Sequence, residues 1–179
     1  MRRFRFTPLL VAAASLVALT AAAPAARAQK LDDPTIVAIF DAANTWDIET
    51  GSLAAAHGKS KQVRDFGAML ARDHRAVRQQ GRDLAKKLHV TPTPPKDFAM
   101  AKDHAAAMKK LRALHGAAFD QAFLAHEVAY HQAVIDAVQQ TLLPAIQNAE
   151  VKDLVVKVAP AFEAHRVAAA NLQKQVAAN

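Results

Sequence analysis

The sequence predicts an all-α fold built from four long amphipathic helices. Two observations carry that expectation. Apolar residues make up 52% of the 179-residue chain, with only five glycines, and many of them are alanines rather than β-branched runs, a composition that favours helix over sheet. In addition, apolar residues recur at three- and four-residue intervals along four extended stretches. The length suits one domain with a proper core. Because there is no cysteine, disulfides, thiolate catalysis and iron–sulfur clusters are excluded.

The first residues are set aside from the fold. Arg2, Arg3 and Arg5 precede an apolar run from Leu9 to Ala23, and Ala26-Arg27-Ala28 offers an A-x-A cleavage site. Residues 1–28 therefore read as a signal peptide and 29–179 as one bundle domain, exported to the periplasm or secreted, with no stable membrane anchor after cleavage. The whole chain carries +7. Removing the signal takes away four arginines and no acid, leaving 19 basic against 16 acidic residues, or +3. The clusters Arg72, Arg75, Arg78, Arg82 and Lys109, Lys110, Arg112 then read as solvated helix faces, and no nucleic-acid partner is expected.

In the mature chain, Asp33-Pro34 starts the first helix, with Asp as cap and Pro at the first helical position. This helix runs to about His57, and its expected buried stripe is Ile36, Ile39, Phe40, Ala43, Trp46 and Leu53. Gly58 ends it, and Ser60 caps a second helix reaching about His89. The prolines of Thr91-Pro92-Thr93-Pro94-Pro95 then stop any helix, and a weaker helix from Lys96 to His115 follows, closed by Gly116. A third long helix spans about Ala117 to Gln147, with a bend or break near Pro144. The fourth starts near Asn148, with a kink expected at Pro160. The first and last pairs have tight turns and form antiparallel hairpins. The segment from Thr91 to Gly116 is long enough to cross the bundle, which would make the second and third long helices parallel, the ferritin-like arrangement.

That topology places polar residues level with one another. His74, His131 and His165 each sit on an apolar stripe where a leucine would be expected. His74 and His131 lie about fourteen residues into their helices, roughly 21 Å along each axis. His131 and His165 are nearly equidistant from the turn between their helices. The three histidines are expected at one depth, with Glu49 and Glu127 about one turn away. Three imidazoles and two carboxylates converging from four helices have the composition of a transition-metal site. Asp73 points some 100° away from His74 and reads as a flank. The five other histidines, His57, His89, His104, His115 and His126, are assigned to solvated faces or helix ends.

The run Phe40-Asp41-Ala42-Ala43 with Trp46, Glu49, Gly51 and Ala54, the segment Val63, Phe66, Ala68, Met69, Asp73-His74, the stretch Leu114 and Gly116 to Leu124 with His131, and Ala159-Pro160 with His165 five residues later together carry a resemblance. They resemble an exported bacterial family of unknown function with a ferritin-like bundle, often labelled outer-membrane or periplasmic. The resemblance implies that fold and an envelope location, and it names no reaction. Its matching residues are Glu49, Asp73, His74, Asp120, His131 and His165, so Asp73 and Asp120 join the candidates as residues that would hydrogen-bond the metal ligands from outside; Glu127 rests on the helical projection. Classical di-iron bundles use Glu-x-x-His on two helices. Here Ala71, Val128 and Phe162 stand three residues before the histidines, which argues against a di-iron centre.

Two functional readings follow. In the first, Glu49, His74, Glu127, His131 and His165 bind one transition-metal ion, with no nucleotide, haem or iron–sulfur cofactor. In the second, the polar core is metal-free and the protein is a non-enzymatic envelope or stress-associated module, with the arginine face as the first surface for an envelope partner. No G-x-S-x-G, phosphate loop or H-E-x-x-H is present, so no catalytic residue is assigned and the sequence does not decide whether the protein is an enzyme.

Overall fold

The computed structural model describes residues 31–177, which are helical with connecting turns and contain no strand. The predicted signal peptide lies outside these residues. The first helix, α1, covers Asp33–His57. Its cap is Asp32, whose carboxylate accepts the Thr35 N–H at 2.9 Å, one residue earlier than the sequence suggested. Helix α2, Lys61–Lys87, is capped by Ser60 as its sequence predicts, with the hydroxyl accepting the Val63 N–H at 3.2 Å. It ends through His89, at φ 54°, where the Val90 N–H reaches back to the Ala85 carbonyl at 2.9 Å.

Helix α3, Ala99–Arg112, is shorter than the sequence suggested. Gly116, expected to close α3, instead opens α4, Gly116–Ala137, at φ 62°, a conformation that favours glycine. Past α4 the chain widens into a π-helical turn, Val138–Leu142, and a last short turn, Leu143–Ala145, before breaking at Ile146. Helix α5, Ala149–Ala177, contains Pro160. No helix among the described residues is long and apolar enough to cross a membrane.

Helices α1 and α2 pack along their length, as do α4 and α5, and further contacts join α2 to α5 and α1 to α4. The first pair meets closely at two glycines. A Cβ on Gly51 would lie 2.7 Å from the Gly67 carbonyl oxygen, and one on Gly67 would lie 2.6 Å from that of Gly51. Neither backbone can give way, so only glycine permits this approach. Along the outside of the same pair, the α2 arginines reach across to α1. Arg75 bonds Ser52, Arg78 bonds Thr45, and Arg82 grips Asp41 with two hydrogen bonds.

The apolar core falls into two clusters. One gathers Ile36 and Val37 from α1, Ala85 from the end of α2, Val134 and Val138, and Val151 to Phe162 from the start of α5. The other gathers Ala54, Val63, Phe66 and Leu70 from the α1–α2 end, Phe119, Phe123 and Leu124 from the start of α4, and Ala169 and Leu172 from the end of α5. Residues from the beginnings of α2 and α4 thus share one cluster. Aspartates tie the two turns. Asp120 on α4 accepts the Lys59 and Ser60 N–H groups of the α1–α2 turn, both at 2.8 Å. Asp33 on α1 accepts the Gln147 and Asn148 N–H groups of the α4–α5 turn, both at 2.9 Å.

Candidate metal centre

Asn44, Asp47, Thr50, His74, Glu127, His131 and His165, all buried, lie on the helix segments that separate the two apolar clusters. On α1 the inward face runs Ile36, Asn44, Asp47, Gly51, Ala54, all buried. It therefore differs from the expected stripe, because Trp46 faces α3, where it stacks on His104 at 5.4 Å and meets Phe98 at 5.1 Å. From the other helices come His74, Glu127, His131 and His165, with exposures of 1%, 0%, 1% and 8%.

The three histidine rings meet, with centroids 5.7 Å apart for His74–His131, 5.2 Å for His74–His165 and 5.4 Å for His131–His165. One ligating atom from each lies within 4.8 Å of those of the others, and the same holds for the set Asp47, Glu127 and His131. The Phe162 ring lies parallel to that of His74, with centroids 6.0 Å apart.

Each ring has one occupied and one unoccupied edge. His74 Nδ1 lies 2.9 Å from Asn44 Oδ1, an acceptor, so this nitrogen carries the proton. His131 Nδ1 likewise donates to the Glu127 carbonyl oxygen at 3.0 Å. His165 Nε2 lies 3.4 Å from Asp73 Oδ2. The opposite nitrogens, His74 Nε2, His131 Nε2 and His165 Nδ1, are buried without a hydrogen-bond partner. Asp47 Oδ1 and both Glu127 oxygens are in the same position. Asp47 lies between the rings, with Oδ2 3.6 Å from His74 Nε2 and Oδ1 4.0 Å from His131 Nε2. Glu127 Oε2 is 3.5 Å from His131 Nδ1.

Burial sets the protonation of this group. It lowers His74 to about 2 and His131 to about 4, the neighbouring imidazoles pushing the same way. His165 is also lowered by burial, with Asp73 pulling it back up. Burial raises Glu127 to about 7, while Thr50 and Asp47 beside it act in the opposite direction. Asp47 is raised well above the usual carboxylate range, by burial first and then by Glu127. Neutral imidazoles present lone pairs, and crowded carboxyls must keep a proton or face a cation. Both conditions suit a metal ion.

Two sequence expectations are corrected. Glu49 is not part of this group: two residues after Asp47 it points about 200° around the helix, and its half-exposed carboxylate bonds His104 Nε2 at 2.8 Å. Asp120 does not hold a ligand of this group in place, because its carboxylate accepts the Lys59 and Ser60 N–H groups. Asp73 does reach the group, through His165, with Arg72 on its other oxygen. His104, expected on a solvated face, is buried against Trp46 and Glu49. Asp47 and Asn44 were missed. The available signal was a polar stripe, Asn44, Asp47, Gly51, continuing the helical period from Phe40 to Ala54.

Residues 18–172 match the family described as Domain of unknown function (DUF4142). The chain belongs to this family. No curated protein and no solved structure matches it. The DUF4142 domain thus carries no function by likeness, and the reading rests on the geometry of its polar centre.

Proposed function

We propose that this DUF4142 protein is an exported ferritin-like four-helix bundle, crossed between α2 and α4 by the α3 segment, that binds a transition-metal ion between His74, His131 and His165. Asp47 and Glu127 supply the carboxylate side. The observation that carries the reading is the matched arrangement of the rings: each histidine has an acceptor on one nitrogen and a buried, unpartnered nitrogen on the other. Metal-ligating histidines are held in this way, the outer acceptor fixing tautomer and orientation. Imidazole suits zinc, copper, iron or nickel, and the carboxylates favour iron or manganese.

The test is metal analysis of protein purified from the periplasm, together with titration of the metal-free protein. About one equivalent is expected in the wild type, with retention lost in His74→Ala and His131→Ala. Folded protein that takes up no metal, or uptake unchanged by these substitutions, overturns the reading.

One observation favours the second reading, a metal-free polar core in a non-enzymatic envelope module. Asp47 and Glu127 are raised together, so one proton held between them would halve the charge of the acid side while the imidazoles stay neutral. The arginine face is a weaker partner surface than the sequence suggested, because Arg75, Arg78 and Arg82 already bond α1.

A further inference from the structure

A narrow cavity of about 30 Å³ lies against the centre, between α1 and the end of α4. Asn44, Asp47 and His74 are the polar residues of its wall. The remaining wall is aliphatic or aromatic, apart from the Met100 thioether of α3, which also lines it. Val138 and Leu142 of the π-helical turn contribute to that wall, and such turns recur at functional sites because they displace side chains from the regular helical path.

We propose that this cavity binds a small uncharged molecule, of the size and polarity of a diatomic gas, and presents it to the metal at the Asp47–His74 side. Size sets the first limit, since about 30 Å³ holds roughly one or two water-sized molecules, or a single xenon atom or diatomic of that combined volume. Polarity sets the second. An anion would have to leave its hydration shell against a mostly apolar wall and would meet the Asp47 carboxyl, at a cost that a neutral diatomic avoids. Apolar cavities of this kind stay dry and accept apolar gases. The ligand class follows from the cavity alone, whereas presentation to a metal rests on the proposed metal centre.

Two measurements separate these parts. In metal-free protein, xenon titration followed by methyl NMR is expected to shift Val134, Val138 and Leu142 selectively. In protein loaded anaerobically with iron(II), nitric oxide is expected to give an iron–nitrosyl EPR signal, while azide at equal concentration does not displace it. Ala43→Leu, which fills the cavity from α1, is expected to abolish the xenon shifts and slow nitrosyl formation by about tenfold, with iron content unchanged. Absent or scattered xenon shifts overturn the cavity proposal whether or not iron binds. Selective xenon shifts in a protein that retains no iron support the gas site and overturn its delivery to a metal. Azide competing as well as nitric oxide, or a nitrosyl rate unaffected by Ala43→Leu, overturns the selectivity.

Discussion

Asp120 and Glu127 lie seven residues apart on α4, on nearly the same face and both fully covered, yet their surroundings are opposite. The Asp120 carboxylate receives two backbone N–H groups from the α1–α2 turn. The Glu127 carboxylate receives no backbone N–H, and its neighbours are the side chains of Thr50, Asp47 and an imidazole. Backbone donors stabilise a charged carboxylate in place, so the first residue serves folding. Without backbone donors, the second must hold a proton or meet a cation, as the proposed site would require. One residue chemistry thus sits in two opposite surroundings on the same helix.

The largest expected effect breaks the folding side of this contrast. Asp120→Ala leaves two N–H groups at a covered turn without acceptors. Two charge-assisted bonds of this type contribute about 3 kcal/mol together. Urea denaturation should show a loss of that size in metal-free protein, while the folded fraction still binds metal. A loss well under 1 kcal/mol would show that the turn holds itself.

Metal removal acts on the other side. At a free-ion concentration about 100 times the dissociation constant, binding stabilises the folded state by about 2.7 kcal/mol. Adding a chelator should lower the thermal midpoint of the wild type and leave that of His131→Ala unchanged. Equal midpoints with and without chelator in the wild type would remove the distinction between Glu127 and Asp120.

The metal-free protein should also be acid-sensitive. His74 and His131 titrate near 2 and 4 when folded but near 6.5 when unfolded, and His165 and His126 are lowered in the same direction. Below about pH 6.5 the unfolded chain binds more protons, so stability falls as pH falls toward 4. Glu127 and Asp47 act oppositely. Their raised values stabilise at low pH, and the Glu127 share is lost as pH rises from about 4.5 to 7. Four histidines against two acids leave a net acid sensitivity of about 1.4 kcal/mol per pH unit for each proton of imbalance. A urea midpoint that stays flat or rises from pH 6.5 to pH 5 would contradict this balance.

Much of the fold was legible because its signals are local. The Ser60 cap, the proline stop after Val90 and the periodicity of α2 each act within a few residues, and α2 forms as its sequence predicts. His74, His131 and His165 were legible because a polar ring on an apolar stripe is anomalous wherever the helix packs. The α1 contribution was not. Its inward face is polar at Asn44 and Asp47, and its most conspicuous apolar residue, Trp46, is covered by α3 instead. A hydrophobic stripe marks any covered face, and only the tertiary arrangement says which neighbour covers it. The same ambiguity put Glu49 in the centre, where its carboxylate in fact turns out to His104.

The smallest expected change in stability is the sharpest test of the contrast. Glu127→Gln keeps the volume and offers an amide N–H₂ that can donate to Asp47, as a shared proton would. A buried acid without backbone donors contributes little to folding, so metal-free Glu127→Gln should lie within about 1 kcal/mol of the wild type at pH 5. At pH 8 the sign should favour the variant, because the wild type has lost the low-pH stabilisation that its raised Glu127 supplied. Metal affinity should meanwhile fall, since an amide carries no charge to balance the ion. The comparison isolates Glu127 from its neighbours: a change near zero at pH 5 with weakened metal binding places it in a site, whereas a loss as large as that of Asp120→Ala would make it a structural joint of the same kind.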